Sequence, residues 1–244
     1  MALCAPRLST VPFVNADIHG FVDLATSIMV MPPRCGSVRL VAVDGPGGSG
    51  KSTFARRLSA AAHGAPVIHT DDFASWENEF DWWPRFIEQV IAPLRGGHPA
   101  RYQQYDWVGR RLAEWQDVAP APVVIVEGVG AARQEFADAL VLAIWVETPA
   151  DLRLARGIAR DGEELRGFWE QWIAGEERHY TADHTRDRAN LIVCGNPSIR
   201  HDAESEFVAL ASQASRMKGL RWAIGPGGNA NPSLEMRARG ARGV

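Results

Sequence analysis

Gly45-Pro46-Gly47-Gly48-Ser49-Gly50-Lys51-Ser52 is the stretch that decides how this chain is read. Its spacing, G-x-x-x-x-G-K-S, is that of a phosphate-binding loop. An apolar run over residues 38–43 stands before it, and Thr53-Phe54-Ala55-Arg56-Arg57-Leu58 continues it with helical character. Strand, glycine loop and helix, in that order, are the context the motif requires. Glycine tolerates positive φ and leaves backbone N–H groups bare for phosphate oxygens. The helix N-terminus aims further donors and a partial positive charge at the same point. Lys51 is placed to reach the β and γ phosphates of ATP, and the Ser52 hydroxyl to hold Mg2+. The expected nucleotide-binding set is Gly45, Gly47, Gly48, Ser49, Gly50, Lys51, Ser52 and Thr53. Among 26 basic residues the only lysines are Lys51 and Lys218. One of them therefore falls where a compact ammonium suits better than a planar guanidinium.

The rest of the chain bounds what surrounds the loop. Its 244 residues fit one α/β domain, and a hydrophobic content of 46 % can build a large core. A net charge of −3 exerts no general pull on nucleic acid or anionic membrane. Cys4, Cys35 and Cys194 are scattered and odd in number. They indicate neither a disulfide framework nor a metal cluster, and a cytoplasmic location is expected. The first residues lack a signal-peptide pattern, and no run is long enough to span a bilayer.

Upstream of the loop, residues 1–36 read as an N-terminal extension. Asn15 or Asp17 is expected to cap a short helix with Ile18, Phe21, Val22, Ala25, Ile28 and Met29 on one side. Downstream, residues 67–70 form a second short strand that runs into Asp71-Asp72-Phe73. Ligands of open α/β sheets bind beyond the carboxyl ends of strands, so these aspartates stand where chemistry is expected. Trp83, Phe86, Ile87, Val90 and Ile91 share a helical face, and Pro93 is expected to stop that helix. Residues 101–116 read as a hairpin, within an insertion at about 97–118 that could cover the substrate. A buried strand at 123–126 ends in Glu127, positioned to hold Mg2+ directly or through water.

A fourth strand covers residues 140–146. Thr148 is expected to N-cap the next helix, with Pro149 at its first position. Arg153, Arg156 and Arg160 then fall at intervals of three and four and share a face, with Arg166 following. They suit a lid, at about 151–168, that closes on phosphates and neutralises transition-state charge. A helix from about 168 to 180, a fifth strand at 191–193 and a closing helix carrying Phe207, Val208, Leu210 and Ala211 complete a domain at 37–215. The remainder, 216–244, is rich in glycine and arginine and is expected to be disordered.

Taken together, these pieces resemble the uridine kinase / phosphoribulokinase / pantothenate kinase branch of P-loop kinases, with uridine–cytidine kinases nearest in layout. The likeness covers roughly residues 38–200. It rests on the phosphate loop, Asp71-Asp72-Phe73 for a D-x-F element, Phe80-Asp81 for a ribose-binding F-D, and Tyr105-Asp106-Trp107 for a Y-D-F. Glu127-Gly128 stands for an E-G, residues 151–161 for the lid helix, and residues 189–193 for an A-D-hydrophobic ending. The resemblance implies a P-loop NTPase three-layer sandwich with a five-stranded parallel sheet, and an ATP- and Mg2+-dependent kinase acting on a small-molecule hydroxyl. By the same token Asp71 is the base, with Lys51, Arg156 and Arg160 assisting catalysis. Asp72, Asp81, Tyr105 and Arg110 meet the substrate, and Ser52 and Glu127 hold the metal. Uridine or cytidine is the leading acceptor, beside pantothenate, a sugar or another polyhydroxy metabolite. A regulatory ATPase is the reading from another class, and homo-oligomerisation stays open. The chain departs from the family pattern in its second carboxylate, Asp72, in Arg110 near the pyrimidine-reading histidine, and in Glu163-Glu164-Leu165-Arg166 replacing an R-G-R lid run. Trp76, Trp82, Trp83, Trp107 and Trp115 crowd the acceptor side.

Overall fold

The computed structural model describes residues 16–210. The start of the chain, Asn15, Ala211 and the tail at 216–244 lie outside the described residues. Elements run in the order β1 (Ala16–Gly20), α1 (Phe21–Met29), β2 (Arg39–Asp44), α2 (Lys51–Ala61) and β3 (Val67–His69). Then come α3 (Trp83–Phe86) and α4 (Ala92–Arg95), β4 (Ala100–Asp106), β5 (Arg111–Val118), β6 (Val123–Glu127) and β7 (Leu140–Glu147). The chain continues through α5 (Ala150–Asp161), α6 (Arg166–Asp183), α7 (Thr185–Arg188), β8 (Leu191–Cys194) and β9 (Glu206–Leu210).

Seven strands form the central sheet in the order β1-β9-β8-β7-β2-β6-β3. The five from β3 to β8 are parallel, with the phosphate-loop strand β2 at their centre. Their residues alternate between two cores because successive strand side chains point to opposite faces. Leu40, Ala42, Val124 and Val126 pack with Phe86, Leu94 and Phe136 on one side. Val41, Val43, Val123 and Ile125 pack with Leu24, Ile28, Phe54 and Leu58 on the other. Helices thus cover both faces, as a buried parallel sheet demands. β4 and β5 form a separate antiparallel hairpin. Among the described residues no helix is long and apolar enough to cross a membrane.

The five expected parallel strands are present, and four other expectations are corrected. The sheet also carries two further strands at one edge, because β9 pairs antiparallel with β8 and β1 with β9. Residues 206–210 are therefore strand and not the expected closing helix; a short apolar run carries no period that separates the two. That pairing also draws Asp17 and Ile18 into β1. The helix starts at Phe21 after Gly20 and turns Phe21, Leu24, Ala25 and Ile28 inward, leaving Val22 and Met29 exposed.

Pro93 does not stop its helix. A π-turn, Ile87–Ile91, joins α3 to α4 and carries the chain past the proline. Widening the turn just before a residue that lacks an N–H relieves the clash with the preceding carbonyl. Thr148, finally, is not the N-cap of α5, which is Pro149. The Thr148 hydroxyl instead lies 2.9 Å from the Ser49 carbonyl, tying the end of β7 to the phosphate loop.

Candidate active site

The register of three strands builds the site. Val43 of β2 stands beside Glu127 of β6, and Glu127 beside His69 of β3. The loop, the acidic strand tip and the imidazole therefore meet at one edge of the sheet. Gly48 has φ 74° and Gly50 φ 99°. A Cβ at Gly48 would also lie 2.6 Å from the Arg153 carbonyl, so only glycine fits there.

Just before the loop, Asp44 is fully buried and accepts hydrogen bonds from the backbone N–H of Gly45 (2.6 Å), Gly130 (3.1 Å) and Ala132 (2.7 Å). The Tyr180 hydroxyl donates a fourth at 2.8 Å. One carboxylate thus joins the phosphate loop, the loop after β6 and α6. Burial raises its pKa to about 6 against the opposing pull of those donors.

Ser52 donates from Oγ to Glu127 Oε1 at 2.9 Å, while His69 Nδ1 donates to Glu127 Oε2 at 2.7 Å. Burial alone would raise the Glu127 pKa, but His69, the Lys51 charge and Ser52 together hold it below the ordinary carboxylate range. Bonding to Glu127 raises the His69 pKa. A hydroxyl and an ionised carboxylate side by side are hard oxygen donors that fit a divalent cation. Among the described residues no cluster of three or more His, Cys, Asp or Glu forms a fuller cage. A site completed by phosphate oxygens and water needs no such cage.

A cavity of about 1110 Å³ runs over the loop, lined by Gly47, Gly48, Gly50, Lys51, Ser52, Thr53 and Glu127. Toward one end it reaches Asp71, Trp76, Trp107, Phe168, Trp169 and Trp172. Toward the other it reaches Arg57, Pro197 and His201. At the Asp71 end, rings touch in a closed circuit: Trp76 to Trp107, Trp107 to Trp172, Trp172 to Phe168 and Phe168 to Trp76, with centroids 5.3–6.4 Å apart. The indole N–H groups are already used inside the protein: Trp76 donates to the Trp107 carbonyl, Trp107 to the Asp71 carbonyl, Trp169 to Asp161 and Trp172 to Glu176. The wall therefore offers π surface and no indole donor.

Of the expected lid arginines, Arg156 and Arg160 line the cavity. Arg156 donates to the Gly48 and Gly195 carbonyls, and Arg160 pairs with Asp161 within electrostatic reach of Asp71. Arg153 is not among the lining residues. It pairs at 3.4 Å with Glu176, a buried carboxylate of α6 that also accepts from the Gly47 N–H at 2.6 Å. Arg166 pairs with Glu163 at the surface. The model of the family described as "Phosphoribulokinase / Uridine kinase family" matches residues 69–176. A uridine kinase of Borrelia hermsii is 27 % identical over 192 residues, covering 70 % of this chain and 92 % of that protein. A solved structure of a possible uridine kinase from Bacillus stearothermophilus shares the fold at TM-score 0.51 and 18 % identity, over 70 % of this chain and 96 % of that one. A uridine kinase of Halobacterium salinarum is 30 % identical over 157 residues, covering 55 % of this chain and 69 % of that protein. The chain belongs to the phosphoribulokinase / uridine kinase family.

Family membership makes the chain an ATP-dependent kinase, a phosphotransferase acting on a hydroxyl group. The structure gathers Lys51, Ser52, Asp71, Glu127, Arg156 and Arg160 around one cavity and leaves other expected residues outside it. Asp81 and Tyr105 line a second pocket of about 410 Å³. Tyr105 meets Trp107 edge-on at 5.3 Å, behind the aromatic wall. Arg110 stacks over Trp76 at 4.9 Å. Asp72 faces His69, Gln104 and Tyr102 rather than the cavity, and burial raises its pKa.

Among the tryptophans singled out from the sequence, Trp76 and Trp107 reach the cavity, Trp82 is core and Trp115 stacks with Arg101. Phe168, Trp169 and Trp172 were legible only as the apolar face of a helix. His69 carried a faint signal, standing two residues before Asp71 at a strand end. Asp44 and Glu176 had none, since their partners are remote in sequence. The two cavity arginines and Arg153 should behave differently on substitution. Arg160→Ala is expected to lower kcat by about ten- to a thousandfold with little change in thermal stability. Arg153→Ala should instead cost about 3 kcal/mol of stability by stranding the buried Glu176 charge. Steady-state kinetics beside thermal melts of both variants check the contrast.

Proposed function

We propose that this kinase transfers the γ-phosphate of ATP, as its Mg2+ complex, to a hydroxyl of a nucleoside, with uridine or cytidine the leading acceptors. The observation that carries the reading is that one cavity is lined by Lys51, Ser52 and Glu127 and also by Asp71, which the Trp107 indole ties to the aromatic wall. In this reading the backbone of residues 45–53 cradles the phosphates, and Lys51 neutralises charge at the β and γ positions. Ser52 and Glu127 hold the metal, which when bound offsets charge on the transferring group. Asp71 orients the acceptor hydroxyl and takes its proton as the new P–O bond forms, because an alcohol is too weak an acid to ionise first. Arg156 and Arg160 stabilise the charge spread over the equatorial oxygens.

The acceptor side favours a neutral, flat molecule. Its wall presents ring faces, which stack on planar groups. Arg110 is held on the face of Trp76, and among the described residues the cations lining the cavity beside Asp71 and the aromatic wall are Lys51 and the expected lid arginines, with Arg57 and His201 lining it elsewhere. That supports a nucleoside over pantothenate. Tyr105 and Arg110 then act from behind the wall, against Trp107 and Trp76, while Asp72 and Asp81 stand outside the cavity. A panel of uridine, cytidine, pantothenate and simple sugars in an ADP-coupled assay tests the choice. The pyrimidine nucleosides are expected to give the highest kcat/KM, and preferred turnover of pantothenate or a sugar would overturn the acceptor. ADP release independent of any acceptor would point to the regulatory ATPase instead.

A further inference from the structure

We propose that His69 is a positioning residue for the divalent cation, acting through Glu127; this rests on the assignment of Ser52 and Glu127 as metal-holding residues. The two oxygens of the Glu127 carboxylate have separate partners. Oε1 meets Ser52 at 2.9 Å, and Oε2 meets His69 Nδ1 at 2.7 Å. The oxygen on the Ser52 side is the one a cation would share with that hydroxyl. The other is held from behind by the imidazole, so the plane of the carboxylate is set before any metal arrives. Without the imidazole, Ser52 would be the one hydrogen-bond partner of the carboxylate among the described residues, beside the undirected Lys51 charge, and its side-chain torsions would be less tightly set. Outer partners of this kind orient metal ligands and carry much of a site's affinity.

The placement of His69 argues against a packing role. It sits on β3, the edge strand of the sheet, and its side chain is 51 % exposed, whereas that of Glu127 is 5 % exposed. The strand register alone sets the pair opposite one another. Asp71 and Asp72 lie close enough to interact electrostatically with the ring, yet the hydrogen bond goes to Glu127. A half-exposed imidazole on an edge strand contributes little to the core. Its contribution here is one donor aimed at one oxygen.

The test uses the full chain, a non-hydrolysable ATP analogue and Mn2+ as the probe. Free Mn2+ is followed by its paramagnetic resonance signal as it titrates the protein–analogue complex. His69→Ala is expected to weaken Mn2+ binding about ten- to a hundredfold, the usual cost of losing an outer-shell partner. His69→Asn, whose amide nitrogen stands near the position of Nδ1, should recover most of that affinity. His69→Gln, whose nitrogen reaches the Nε2 position, should not. Melting curves accompany each variant, and the Asn–Gln contrast decides the matter even if the Ala variant folds poorly. Unchanged Mn2+ affinity in His69→Ala, or equal losses in Asn and Gln, would overturn the proposal. So would a nitrogen hyperfine coupling on Mn2+ bound to the unmodified protein, which would make His69 a direct ligand. Absence of any Mn2+–analogue binding by the unmodified protein would overturn the nucleotide–metal assignment itself, and this inference with it.

Discussion

Asp71→Asn is expected to lower turnover at least about a hundredfold while leaving nucleotide binding intact. Asparagine keeps the shape of the side chain and loses the ability to accept a proton. The hydroxyl of the acceptor must shed its proton as phosphorus is attacked, so the loss falls on kcat. Asp71 is exposed and lines the cavity, so little in the packing should change. Lys51→Ala should cost a similar factor in kcat and also raise the KM for ATP, as the proposed contact of Lys51 with the phosphates in both ground and transition states requires. Steady-state kinetics with calorimetry of nucleotide binding separate the two patterns. Near-normal turnover of Asp71→Asn would remove Asp71 from the role of base.

The second large effect falls on stability. Asp44→Ala removes the acceptor for three backbone N–H groups and the Tyr180 hydroxyl at once. An unmade buried hydrogen bond costs about 1–3 kcal/mol. The variant should lose several kcal/mol, a large share of a domain's whole stability. Asp44→Asn should lose less, since Oδ1 can keep its partners while the amide nitrogen opposes the Ala132 N–H. The native protein and Asp44→Asn also differ in pH response, because the amide does not titrate. The pKa of Asp44 rises from 3.8 unfolded to about 6 folded, so the folded protein takes up a proton that the unfolded chain does not bind between those values. Its contribution to stability therefore improves as pH falls from 7 toward 4, by about 3 kcal/mol in all. Urea unfolding at pH 7 and pH 5 should show the native protein gaining on Asp44→Asn at the lower pH. Parallel changes in the two proteins would remove Asp44 as the titrating group.

Reading of the fold succeeded where the signal is local. The phosphate loop declares itself by spacing, and the parallel strands at 38–43, 123–126 and 140–146 by apolar runs interrupted only at Arg39. It failed where pairing decides. Nothing in Phe207, Val208 and Leu210 says strand rather than helix until β8 and β1 are beside them. The helix through Pro93 needed a π-turn that no periodicity announces. The lid arginines were legible as a set, because i, i+3 and i+4 positions share a face. Which of them face the cavity depended on Glu176, a residue of another helix that holds Arg153 aside.

The reaction class came from the family resemblance; by itself, the amino-acid sequence determined the glycine loop of phosphate-binding spacing at residues 45–52 and the acids at 71 and 127 at the carboxyl ends of strands. These follow from backbone freedom, charge and spacing within a few residues. Tertiary structure alone decided the two added edge strands, the aromatic wall drawn from the hairpin, the loop after β3 and α6, and the separation of Asp81 and Tyr105 from the main cavity. It also decided the row from Ser52 through Glu127 to His69. Each of these brings together groups tens of residues apart, and the strand register and packing that unite them are properties of the assembled sheet.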